Sequence, residues 1–275
     1  MSMRRVLTGC RSKVSTMKLI DGPMATCEIH GEYVTRSLVR PDGTPLLRGV
    51  HCPKCSKAEA EKRQAEDDAK EVSARQARIE AKFAQSGIPP AFVDRTLENF
   101  IADTDEKREA LNACMRFVGE FDRAARRGTS LIFLGNIGTG KTHLAVAIAQ
   151  VVLQRGRTVM YETAAEMVTR LRNSMRHDAK VSGSDLLDLY GTVDFLVLDE
   201  FGIQAATDDV KAHLTTVLDK RYRNGKPTIL ISNLDAKQFV EYVGDRVADR
   251  LREIATAVFF PWESGRVAAR KRANF

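Results

Sequence analysis

The chain has 275 residues, of which 43% are hydrophobic and 29% charged, with a formal net charge of +7. That balance describes an ordinary globular protein able to bury a substantial core, and it excludes a membrane partner, because the longest apolar run, HLAVAIAQVVL, is interrupted by Gln150 and far too short to span. Five cysteines with no secretion signal argue against a disulfide framework and for a reducing cytoplasm.

At the front, MSMRRVLTGC contains LTGC, a four-letter match to a lipoprotein cleavage site; no apolar h-region precedes it, so the match is taken as chance. The first 55 residues carry nine Lys/Arg against four Asp/Glu, and the last twelve, SGRVAARKRANF, carry four basic residues and no acidic ones. Such ends suit a polyanion and suit plain solvation equally. Within this turn-rich stretch, CEIHGEY and HCPKC supply Cys27, His30, Cys52 and Cys55. Their spacing, C-x2-H-x21-C-x2-C, fits two short knuckles closing on one tetrahedral Zn²⁺. Gly31 and Pro53 stand where tight turns are needed, His51 is a substitute for His30, and reduced cysteines without a metal are the plain alternative. A segment this poor in apolar core needs a staple. Four protein ligands leave no open position, so the site would be structural. Cys10 and Cys114 have no partner pattern.

From about Ser56 to Gln85 the chain is dense in Ala, Glu, Lys and Arg without Pro or Gly, which predicts a helix. Val72, Ile79 and Phe83 make only a thin apolar stripe, so the helix is expected to be mostly solvated, as a connector or a partner-facing element. SGIPPAF ends it. Beyond Phe92, the strand candidates SLIFLG, TVMYET, DFLVLDE, TILISN and TAVFFPW alternate with helical segments, which predicts an α/β fold with a parallel sheet flanked by helices. The expected division is a zinc-binding module over 1–55, a charged helical connector over 56–86 and the parallel-sheet domain over 87–275.

Between the first strand and its helix lies Gly135-Asn136-Ile137-Gly138-Thr139-Gly140-Lys141-Thr142, which fits G-x-x-x-x-G-K-[ST] at every fixed position. Glycines allow the backbone N–H groups to converge on phosphate oxygens, and the following helix N-terminus favours negative charge. Lys141 would reach the β- and γ-phosphates of ATP and the Thr142 hydroxyl would hold Mg²⁺. Four apolar residues of DFLVLDE deliver Asp199 to a strand end, where it would support the same ion, and Glu200 beside it would polarise an attacking water. A water-using ATPase follows. Asn233, at the end of TILISN, would hold that water or sense the γ-phosphate, or else cap the helix DAKQFVEYV. In GDRVADRLRE, Arg246 and Arg250 share one helix face.

The order of phosphate loop, VLDE, ISN and an arginine-bearing helix resembles that of the AAA+ ATPases, and within them the DnaC-type replicative helicase loaders and their phage relatives, with IstB-like transposition helpers as near cousins. SGIPPAF, RTLENF, GNIGTGKTHLAVAIAQ, LLDLYGTVDFLVLDEFG, ILISNL, VGDRVADRL and FPWESGR carry the resemblance over roughly Gly87 to Arg266. It implies that RTLENF lies near the nucleotide base. It also implies that Arg250 completes a neighbour's site in trans, so that the protein self-associates on ATP binding. A salt bridge to Asp245 or Asp249 is the alternative for Arg250, and Arg246 the alternative finger. Arg266 would touch the γ-phosphate from the C-terminal segment, although only 42 residues follow Asn233, too few for a full helical lid. The stretch AAEMVTRLRNSMRHDAKVSGSDLLDLYGT would be the initiator-type helix pair that tracks single-stranded DNA, with Arg170, Arg172, Arg176 and Lys180 on phosphates and Tyr190 the nearest aromatic partner; an exposed basic helix is the alternative. The front module would grip the replicative hexameric helicase, or else bind nucleic acid. The gene belongs to a bacterial host or to a phage.

Overall fold

The structure, a computed structural model, describes residues 18–41, 44–49, 51–176, 178–203 and 207–265. Cys10, Arg266 and nearly all of the basic C-terminal run lie outside the described residues. The chain divides into two compact units, Met1–Arg75 and Gln76–Phe275.

The first unit holds an antiparallel sheet of β1 (Lys18–Cys27), β2 (Gly31–Val39) and β3 (Pro45–Gly49), in that spatial order, and then most of α1 (Pro53–Gln85), whose last residues belong to the second unit. The sequence reading did not foresee these strands. β1 is interrupted by a register shift between Asp21 and Met24, where Gly22 and Pro23 sit, and most of its side chains are exposed, so the alternation that betrays a half-buried strand is weak. Helix α1 begins three residues earlier than expected, with Pro53 in its first turn, where a missing N–H costs nothing.

The second unit contains a five-stranded parallel sheet in the order β5-β6-β7-β4-β8, with β4 (Ser130–Gly135), β5 (Val159–Thr163), β6 (Phe195–Phe201), β7 (Thr228–Ser232) and β8 (Ala255–Phe260). All five expected strands are present. Alternate residues of each strand face two separate cores. Leu131, Phe133, Val197, Ile231 and Val258 pack on α2 (Asp105–Gly119), α3 (Phe121–Arg127) and α4 (Lys141–Gln154). Ile132, Leu134, Leu196, Leu198 and Leu230 pack on α5 (Ala164–Ser174), α6 (Gly183–Thr192), α7 (Asp208–Arg223), α8 (Ala236–Val243) and α9 (Asp245–Ile254). Both faces being covered explains why these strands read as continuous apolar runs. The edge strand β5 is closed by the segment after α1, where the Tyr161 N–H donates to Ser86 O at 2.7 Å. Among the described residues no helix is long and apolar enough to cross a membrane.

Candidate nucleotide and metal sites

The residues from Gly135 to Thr142 link the C-terminal end of β4 to the start of α4 and form the expected loop. Gly135 has φ +139, and a Cβ there would lie 2.2 Å from Phe260 O of the neighbouring strand, so only glycine lets the chain leave the sheet at this point. At Gly140, φ is +95 and a Cβ would meet the Phe100 ring at 2.7 Å. Phe100 closes RTLENF, so that segment lies directly against the loop. His143 packs edge-on to Phe100 at 5.4 Å and donates from Nε2 to Thr96 O at 2.8 Å, while Gln150 donates to the carbonyls of Phe92, Val93 and Arg95. Two polar side chains of α4 thus fasten the segment expected to flank the base.

Lys141 is buried and donates to Gly135 O at 2.7 Å and to Asn136 O at 2.6 Å. Burial pulls its pKa down to about 8, with Asp199 opposing that fall. Two loop carbonyls therefore hold the ammonium where phosphate oxygens would take it over.

β6 delivers Asp199 beside this loop. Its Oδ2 accepts from Thr142 Oγ1 at 2.8 Å and from the Tyr161 hydroxyl at 2.7 Å, and its Oδ1 accepts from the Glu200 N–H at 2.7 Å. Tyr161, from β5, was not foreseen in the site. Its hydroxyl pKa is driven far above the ordinary value by burial first and by Asp199 second, so it remains a donor. Thr142 and Asp199 offer the oxygen donor set of a hard cation such as Mg²⁺. Glu200 is exposed and has φ 57, the one non-glycine residue with positive φ among those described. The register between β6 and β7 shifts between Leu198 and Phe201, so the strand bulges at Glu200.

Asn233 follows β7, the strand between β6 and β4, and is exposed at the same sheet end. The capping alternative does not hold. The N-cap of α8 is Asp235, whose carboxylate accepts from the Gln238 N–H at 2.8 Å while Gln238 Oε1 accepts from the Asp235 N–H at 3.1 Å. Asn233 does not cap α8 and stands exposed just after β7.

Arg250 stands apart from this group. On α9, it pairs with Asp219 of α7 and lies 5.4 Å over the Tyr222 ring, and Arg246 reaches the same Asp219 at 3.2 Å. The small cavity of about 20 Å³ beside it is lined by Ser130, Lys226 and Thr228, at the N-terminal ends of β4 and β7, opposite the phosphate loop. The acidic partner is Asp219, not Asp245 or Asp249.

The basic segment between β5 and β6 forms α5 and α6, as expected. Arg170, Arg176 and Lys180 line an open cavity of about 610 Å³ with Asn173, Ser174 and Val181. Arg170 pairs with Glu162 at 2.8 Å, Arg172 with Asp209 at 2.6 Å and Arg176 with Asp178 at 3.6 Å. Tyr190 does not serve as a stacking partner: it is fully buried and its hydroxyl donates to Glu162.

In the first unit, the β1–β2 turn brings Cys27 and His30 against Cys52 and Cys55, with all four ligand atoms within 4.8 Å of one another. Cys27 Sγ lies 3.6 Å from Cys55 Sγ, and His30 Nδ1 lies 3.7, 3.6 and 3.3 Å from Cys27, Cys52 and Cys55. A tetrahedron with Zn–S of ~2.3 Å and Zn–N of ~2.0 Å has edges of about 3.5–3.8 Å, so the donor set fits Zn²⁺. The N–H groups of Ile29 and His30 lead in lowering the Cys27 pKa to about 6, and the bond to Cys27 raises that of Cys55 to about 11. Cys55 lies in the first turn of α1 rather than ahead of it. Cys114 is buried among apolar side chains and its pKa is pushed up to about 12, in keeping with an inert role.

The IstB-like ATP binding protein family matches residues 70–273. The chain is 32% identical over 190 residues to the replicative helicase loader DnaC of Escherichia coli (strain K12), an alignment that covers 69% of this chain and 76% of DnaC. Among solved structures it is similar to the DnaC helicase loader, with a TM-score of 0.57 and 22% identity over 62% of this chain and 99% of that one. It is also similar to DnaI, with a TM-score of 0.54 and 22% identity over 65% and 94%. These likenesses establish the AAA+ fold. The phosphate loop at the sheet end and the sequence identity agree: the chain belongs to the family of IstB-like ATP binding proteins, among the DnaC-type helicase loaders.

Proposed function

We propose that the protein is an ATPase that loads the replicative hexameric helicase onto single-stranded DNA at replication initiation, in the cytoplasm of a bacterial cell. The observation that carries this reading is the 32% identity to a replicative helicase loader across the part of the chain that contains the ATP site. In this reading the N–H groups of the loop from Gly138 to Thr142 hold the phosphates, with Lys141 leaving the carbonyls of Gly135 and Asn136 to bridge them. Thr142 and Asp199 hold Mg²⁺, which when bound neutralises charge on the β- and γ-phosphates. Glu200, exposed at the β6 bulge with its left-handed backbone, accepts the proton of the attacking water, and Asn233 orients that water. Arg250, at the opposite sheet end from its own loop, acts on the site of a neighbouring copy, and Asp219 parks it between encounters. Arg170, Arg172, Arg176 and Lys180 follow the DNA backbone, exchanging carboxylate partners for phosphates. Zn²⁺ held by Cys27, His30, Cys52 and Cys55 is structural, and the front unit contacts the helicase.

The family match favours one other reading, an IstB-like helper of DNA transposition. Size-exclusion chromatography with light scattering separates the two. The full chain is mixed with the replicative helicase of its host, with ATP and without. A stable complex supports the loader. Absence of a complex under every nucleotide condition overturns it and directs the search to a transposase on duplex DNA.

A further inference from the structure

A phosphate loop works only if its N–H groups point inward, so the carbonyls of the same peptide units must point outward and find donors there. Three carbonyls of this loop are served from within the loop or by α4. Gly135 O accepts from Lys141, Asn136 O from both Lys141 and Thr139 Oγ1, and Gly140 O from the Leu144 N–H. The middle pair is different. Gly138 O accepts from the Gly265 N–H at 3.0 Å, and Thr139 O accepts from the indole Nε1 of Trp262 at 2.9 Å. These two peptide units carry the N–H groups of Thr139 and Gly140, and the glycines on either side make their rotation cheap. Trp262 is itself fixed. Its ring lies 5.0 Å from Phe260, which lies 5.2 Å from Phe133 in the core. The donors come from the segment after β8, more than 120 positions along the chain from the loop.

We propose that Trp262, seconded by the Gly265 backbone, is a positioning residue that latches the phosphate loop in the shape that receives phosphates. When Lys141 turns to a nucleotide it releases Gly135 O and leaves Asn136 O to Thr139 Oγ1, and the latch is then the support that reaches the loop from outside the motif and α4. The latch rests on the ATP-binding reading of this loop and extends it to a segment outside the motif. It acts on the cradle rather than on the reacting water, so it affects ADP and ATP alike.

The test uses the full-length chain and a fluorescent N-methylanthraniloyl-ADP with magnesium. Trp262→Phe keeps an aromatic ring on Phe260 and deletes the donor. Trp262→Leu keeps an apolar side chain on Phe260 without a donor, so it serves if the first variant fails to fold. Loss of one neutral hydrogen bond predicts a roughly three- to tenfold weaker Kd for either variant. KM for ATP rises by the same factor, kcat at saturation is unchanged, and deuterium uptake rises in the peptide from Gly135 to Leu144 but not in β6. A purely structural role would change uptake in both. If the wild-type chain binds the probe while both variants stay within twofold of it with unchanged uptake in the loop, the latch is wrong and the nucleotide site stands. If the wild-type chain binds no ADP, the site reading fails and the latch fails with it.

Discussion

Tyr161→Phe removes one hydroxyl from beneath Asp199 and leaves its ring in place, so its effect can be worked out from the geometry. Asp199 is 6% exposed and its carboxylate takes three hydrogen bonds, from Tyr161, Thr142 and the Glu200 N–H. A bond to a charged group contributes about 1.5–3 kcal/mol, and with two donors remaining the lower half of that range applies, about 1.5–2 kcal/mol. For a folding unit of this size, that lowers Tm by about 3–8 °C without added magnesium or nucleotide. In an Asp199→Asn background the acceptor is neutral, and the same substitution costs about 0.5 kcal/mol. The coupling energy from the four-protein cycle is therefore about 1–1.5 kcal/mol, measured by calorimetry or denaturant titration on the full chain. Because Tyr161 keeps its proton, the coupling holds steady from about pH 6 to pH 9. Additivity within ~0.3 kcal/mol would refute the argument, since Tyr161 would then be packing without supporting the carboxylate.

Three other outcomes follow from the site. Glu200→Gln lowers kcat by about 10²–10⁴-fold while leaving ATP affinity within twofold; loss of binding instead would place Glu200 among the phosphate contacts. Arg250→Ala and Lys141→Ala chains, each inactive alone, regain part of the ATPase rate when mixed, because one lends its loop and the other its arginine; a mixture as silent as its components removes the trans role. Purified chain carries about one zinc, and stripping it with a strong chelator melts the first unit without abolishing fluorescent-ADP binding; metal analysis below half an equivalent per chain would sink the four-ligand site.

The phosphate loop, the five parallel strands and the cysteine–histidine quartet were legible because each is a local pattern: fixed spacings, apolar runs and turn residues. What escaped depends on partners far apart in sequence or on missing contrast. Tyr161 meets Asp199 across 38 positions and Trp262 meets Thr139 across 123. Arg250 is answered by Asp219 from another helix, whereas the sequence offered only its neighbours Asp245 and Asp249. Tyr190 sits in a segment rich in basic residues, and only the fold reveals that it turns inward to Glu162. The front sheet was missed because β1 has a Gly-Pro interruption and little burial, so its pleat leaves no alternating signature. Asn233 was the cap the sequence suggested for the helix DAKQFVEYV, and the capping box between Asp235 and Gln238 takes that place instead.

With Glu200 in its proposed role, its left-handed backbone sets the protein's chemistry against its durability. A non-glycine residue held there costs about 1–2 kcal/mol, and glycine would relax the bulge at no steric expense. Selection for heat resistance alone would therefore find Glu200→Gly an easy gain, and a collection of hardened descendants would be expected to accumulate chains that grip nucleotide firmly and no longer turn it over.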